Sequence, residues 1–163
     1  YYRYDNEIKY KIDDYDEFPP TIKWDYILKH NIKRDVKRYN KFQEYLKYEE
    51  FDSPDKRGSG KNMHPETLRK LEKAREFAGF PFVISSGYRT KQHNNSLIER
   101  GYKASKQSTH LEGRAVDIIV KDSVHRLKLL EALQFAGFRR FGVSKGFIHT
   151  DDSEHKPECL WTY

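Results

Sequence analysis

The sequence predicts an α+β domain, with helices packed on a small and largely antiparallel sheet, preceded by an N-terminal helical extension. Two well-patterned helices, each ending at a glycine, are the first observation behind this. Four short runs of β-branched and aromatic residues, "FPFVISS", "RAVDIIV", "RRFGV" and "GFIHTD", are the second. The third is size: 163 residues suffice for one domain with a real core plus an appendage, but not for two ordinary domains.

The elements follow in order. Residues 1–50 mix Tyr, Lys, Asp and Glu without a glycine. Within them "TIKWDYILKHNIKRDVKRYNKFQEYLKYEE" is expected to form one or two charged helices. No chemical constellation appears there, and residues 1–40 read as a solvated extension or adaptor of unknown role, with the domain proper at 41–163. "FDSPDKRGSGKN" is a loop by its Ser, Pro, Asp and Gly content. A helix follows, with His64 as cap, Pro65 in the first position, an apolar stripe of Leu68, Leu71, Ala74 and Ala78, and Gly79 as stop.

"FPFVISS" is a short buried strand, and "TKQHNNSLIERG" a helix of two or three turns ending at Gly101. The loop "YKASKQSTHLEG" leads into the strand "RAVDIIV". The last helix takes Ser123 as cap, Val124, Leu127, Leu130 and Leu133 as stripe, and Gly137 as stop. "RRFGV" and "GFIHTD" complete the sheet.

Charged residues make up 34% of the chain, so the surface is heavily ionic, and an aromatic share of 15% argues against disorder. A net charge of +6 and a pI near 9.2 favour an anionic partner: nucleic acid, a membrane surface or an acidic wall polymer. The single cysteine, Cys159, excludes an intrachain disulfide and a Cys-based zinc knuckle. It reads as a small packed residue, because no nearby histidine is placed to activate it. No apolar run reaches membrane-spanning length. The chain opens "YYRYDNEIKY", with neither Met nor a signal pattern, which leaves a missing targeting segment open.

Asp117 is the residue that asks for an explanation. It stands among β-formers in "AVDIIV", where a carboxylate is costly unless something cationic holds it. His110 lies seven residues earlier. In "FIHTDD", His149 and Asp151 are two apart in a strand and share a face, while Asp152 faces the other way. "SSGYRT" puts Ser86, Tyr88 and Arg89 at a strand end, where an arginine could clamp a carboxylate or steady an oxyanion. A hydrolytic zinc site needs about three protein ligands and an open position. Each residue alone has a plainer reading: a lone histidine is usually packed or solvated, and Arg89 fits an ordinary surface charge. Spacing by itself leaves both readings standing.

"SGYRTKQHN", "STHLEGRAVDI", "GFRRFGV" and "FIHTDDSEHKPECLWTY" together resemble the zinc D-Ala-D-Ala carboxypeptidase-like family of peptidoglycan peptidases. The likeness is to its short endolysin-type members from bacterial viruses, and it runs from about Tyr45 to the C-terminus. That resemblance implies the fold shared with the hedgehog signalling domain and lysostaphin-like endopeptidases. It also implies one zinc held by His110, Asp117 and His149, and a substrate-positioning role for Arg89 with Ser86 at the start of the same motif. Tyr88 and His93 would line the cleft, and Trp161 would close the back of the site.

One departure matters. Many relatives carry an acidic general base three residues before the last ligand, and here that residue is Gly146. The endolysin-like branch has an aspartate two residues after the histidine instead, matching Asp151. Whether Asp151 is the base or orients a ligand stays open. His30, His125 and His155 read as surface residues.

The resemblance implies a zinc peptidase that cuts peptidoglycan stem peptides or cross-links, as a lysis or entry enzyme of a bacterial virus. It would be made in the host cytoplasm and act on the cell wall, with association with the virion left open and a monomer as the default. The rival reading is a non-catalytic, zinc-stabilised wall- or partner-binding module, favoured by Gly146. Nucleic acid is not the expected partner, since no aromatic-basic reader motif appears.

Overall fold

The structure, a computed structural model, describes residues 2–5, 8–11, 47–102 and 104–163, and the chain divides into two units, Tyr1–Glu44 and Tyr45–Tyr163. In the first unit, β1 (Tyr2–Asp5) and β2 (Ile8–Lys11) pair antiparallel, with Tyr2 opposite Lys11 and Asp5 opposite Ile8. These residues differ from the helical expectation. Tyr2, Tyr4, Ile8 and Tyr10 alternate with charged residues, which is the strand period. Of the helices expected over 21–50, residues 21–46 lie outside the described residues, and Tyr48–Phe51 forms a single 3-10 turn.

In the second unit, α1 (Pro65–Ala78) is built as its sequence predicts. Nδ1 of His64 accepts from the Glu66 amide at 3.3 Å, and Gly79 ends the helix with φ 70°. Thr67, Leu71 and Ala74 are buried, with Leu68 and Ala78 packed at the margin. α2 (Lys91–Glu99) is capped by Thr90, whose Oγ1 accepts from the His93 amide at 3.0 Å.

α3 (Ser123–Phe135) departs from expectation twice. Its cap is Asp122, whose Oδ1 accepts from the His125 amide at 2.8 Å, so Ser123 is the first helical residue. Its buried face is Leu129, Ala132 and Leu133, while Val124 and Leu127 are 65% and 57% exposed. Apolar residues lie on several sides of this helix, so periodicity alone did not select the stripe that packs.

The sheet has five strands, β3 (Ile84–Ser86), β4 (Ala115–Ile119), β5 (Arg140–Val143), β6 (Phe147–Asp151) and β7 (Cys159–Thr162). Their order is β3-β4-β6-β5-β7, antiparallel except for the parallel pair β5–β7. β7 went unread because "CLWT" follows a polar, Pro-containing loop and has little strand pattern. As part of it, Cys159 is exposed rather than packed, and Arg140 Nη1 approaches its Sγ at 3.3 Å.

Alternation gives the sheet two unlike faces. Val116, Ile118, Phe141 and Ile148 join Leu71, Ala74, Leu129, Leu133 and Phe138 in the apolar core. Asp117, His149 and Asp151 point the other way, yet they too are buried. That polar face is where the chemistry collects.

Candidate metal centre

The register lines up one transverse row of the sheet: Ser86 opposite Asp117, Asp117 opposite His149, His149 opposite Gly142, and Gly142 beside Trp161. His110 reaches the row from the 3-10 turn Thr109–Glu112, which stands just before β4. Gly87, which follows β3, would place a Cβ 2.6 Å from Phe51 Cα, so only glycine packs there. Its carbonyl accepts from His110 Nδ1 at 2.7 Å.

Three donor atoms converge. His110 Nε2 lies 3.3 Å from His149 Nδ1 and 3.4 Å from Asp117 Oδ1, and the last two are 2.8 Å apart. Tetrahedral ligands about 2.0–2.1 Å from a zinc-sized ion stand about 3.3 Å apart, which is close to these spacings. His110, Asp117 and His149 are the one buried group of this kind among the described residues.

The remaining atoms of each side chain are tied down. Because a carbonyl can only accept, His110 Nδ1 carries the hydrogen and Nε2 keeps its lone pair for a cation. Nε2 of His149 contacts Asp151 Oδ2 at 3.1 Å, which leaves Nδ1 facing Asp117 and His110. Oδ2 of Asp117 accepts from Arg89 Nη2 at 2.8 Å, leaving Oδ1 toward the imidazoles. Such outer partners fix the tautomer and orientation of metal ligands.

The electrostatics of the four groups follow from burial and from one another. Burial pushes His110 below the ordinary histidine value, favouring the neutral ring a metal requires. Burial opposes ionisation of Asp117, but the two imidazoles beside it hold its carboxyl well below the usual range. Burial also works against charge on His149, yet hydrogen bonds to Asp117 and Asp151 prevail and raise its pKa. Asp151 behaves like Asp117: burial is overcome, chiefly by His149, and its pKa falls.

The other expected residues divide. Arg89 enters the centre as a partner of Asp117 and donates from Nε to Ser86 Oγ at 2.8 Å, so Ser86 joins the site through Arg89. Tyr88 packs against the apolar core. His93 sits in the first turn of α2, near the Asp55 carboxylate rather than in the donor cluster. Trp161 places its ring 5.5 Å from that of His149. Asp151 is buried and fully engaged: its Oδ1 accepts from Arg140 Nε at 2.8 Å and from the Ser153 amide at 3.1 Å. Asp152 turns to the helix side and accepts from Thr67 Oγ1 at 2.7 Å.

Sequence reasoning missed Arg140, Gly142 and Tyr163. Arg140 holds Asp151 and stacks 5.5 Å over the Trp161 ring. A Cβ on Gly142 would lie 2.6 Å from the Trp161 ring and 2.7 Å from Cε2 of Tyr163, so a glycine lets both rings close over β5. The alternation of Arg140 and Gly142 on one strand face was a usable signal. Trp161 was expected at the site from the family resemblance alone, and without β7 nothing in the sequence brought Tyr163 to it.

No curated protein matches the chain. A crystal structure of the Serratia marcescens L-Ala D-Glu endopeptidase ChiX superimposes with a TM-score of 0.50 and 20% identity, over 57% of this chain and 82% of that one. The shared fold agrees with the α+β architecture. The model of the family described as Peptidase M15 matches residues 44–151, a span that holds all three clustered donors, and the chain belongs to that family.

Proposed function

We propose that the protein is a zinc-dependent peptidase of bacterial peptidoglycan, cutting stem peptides or their cross-links. The observation that carries this is the buried convergence of His110 Nε2, Asp117 Oδ1 and His149 Nδ1, each side chain oriented by a partner on its other polar atom. Two imidazoles and a carboxylate suit zinc, and three protein ligands leave a position free for water. When bound, zinc supplies Lewis-acid polarisation of a carbonyl and a more acidic water. The chain's own part is to hold those donors in register and keep Asp117 ionised.

Asp151 could serve as base or as orienter, and the geometry favours the orienter, since both its oxygens already have partners. Arg89 likewise steadies Asp117, with a further role on a substrate carboxylate left to its remaining guanidinium nitrogen. The Serratia protein is named as an L-Ala D-Glu endopeptidase, which makes that stem-peptide bond the first to try. The endolysin-like motifs support a lysis or entry role for a bacterial virus.

Two measurements test the reading. Protein purified without added metal should carry near-stoichiometric zinc that is lost in His110→Ala and His149→Ala. Digestion of purified sacculi, followed by mass spectrometry of the muropeptides, should show new peptide ends. A second reading, a zinc-stabilised binding module without turnover, draws on Gly146 and the engaged Asp151. Full zinc with intact muropeptides would select it.

A further inference from the structure

Tyr163 lies beyond the residues that the family match spans, yet its side chain belongs to the metal face of the sheet. Its amide donates to the Val143 carbonyl at 3.2 Å, which continues the β5–β7 pairing past Thr162. Two residues after Trp161, it falls on the same face. Its ring lies 5.2 Å from Phe147 and 6.2 Å from Trp161, and its Cε2 lies over Gly142, the residue opposite His149. Tyr163 is 46% exposed, so it forms the open rim of a centre whose ligands are buried.

Tyr163 is within electrostatic reach of Asp117, Arg89 and Asp151, and the Trp161 ring meets its ring edge-on at 6.2 Å. A phenol hydroxyl carries one hydrogen that it can give. An ordinary phenol, with a pKa of about 10, is protonated at neutral pH. A donor of that kind is unsuited to act as base and suited to meet growing negative charge.

Building on the peptidase reading above, we propose that Tyr163 is a catalytic residue whose hydroxyl donates to the scissile carbonyl oxygen of the substrate as charge develops there. Such a donor acts mainly on the transition state, because the ground-state carbonyl carries little charge. Gly142 and Trp161 set its position, one by leaving room and the other by meeting its ring edge-on.

The test is Tyr163→Phe in the full chain, which removes one oxygen. The kcat on a stem peptide should fall on the order of 100-fold, the scale for a lost oxyanion donor, with little change in KM. Zinc content and melting temperature should stay at the wild-type level. A phosphinate pseudodipeptide, whose anionic tetrahedral group mimics the developing charge, should bind at least about tenfold more weakly to the variant by calorimetry. Wild-type kcat and wild-type phosphinate affinity in Tyr163→Phe would overturn the role of Tyr163 and leave the peptidase reading intact. A wild-type protein that neither cleaves the peptide nor binds the phosphinate overturns both.

Discussion

Asp151 Oδ2 meets Nε2 of His149, while Nδ1 of the same ring meets Asp117, so two carboxylates grip one imidazole by its two nitrogens. If Asp151 orients a ligand, Asp151→Asn should weaken zinc binding by about 10- to 100-fold, the usual cost of losing such a partner. The amide can still accept from His149 or from Arg140, but it then turns an N–H₂ toward the other. Zinc affinity and kcat should be measured together. Unchanged zinc affinity with a hundredfold loss of turnover would return the general-base role to Asp151.

Arg89→Lys is the companion experiment. A lysine keeps the charge but cannot bond Ser86 and Asp117 at once in the planar geometry of a guanidinium. Activity should drop by at least about tenfold, roughly 1.4 kcal/mol, and zinc affinity should fall with it. Loss of activity at full zinc affinity would place Arg89 on the substrate alone.

Gly142→Ala tests the closure of the aromatic rings. Its new methyl would stand 2.6 Å from the Trp161 ring, so β7 or the rings must shift. Overpacking of this kind costs about 1–3 kcal/mol, and the variant should melt several degrees lower with reduced turnover. A melting temperature and rate equal to wild type would show that the rings are free to swing away.

The unit boundary gives a fourth experiment. A fragment of residues 41–163 contains every residue of the donor cluster and of the five-stranded sheet. We expect it to unfold in one cooperative transition, bind zinc and keep peptidase activity. A non-cooperative melt would make residues 1–40 part of the folding unit.

Asp117 was legible on its own because a carboxylate in a strand core, here in "AVDIIV", demands a cation, while the set of His110, Asp117 and His149 came from the family resemblance. His149 and Asp151 were readable as a pair from strand alternation. What the two residues do could not be read, since that depends on which ring nitrogen each carboxylate meets. The stripe of α3 was misread because Leu127 and Leu133 look alike in sequence, and only packing against α1 distinguishes them. Trp161 was placed only by the family resemblance and Tyr163 not at all, because both depend on β7, a parallel edge strand whose partner lies across a polar loop, beyond the reach of local pattern.

The row from Ser86 to Trp161 has a consequence for how this domain reaches its native state. A strand displaced by one residue shows its neighbour the opposite face. If β6 slipped by one position against β4, His149 would turn into the apolar core and Ile148 would face Asp117. A cation bridging those strands would therefore proofread their alignment, rewarding one pairing and none of its near misses. With such an ion, the chemistry of the centre and the correctness of the sheet would be one selection, made when all three donors first come together.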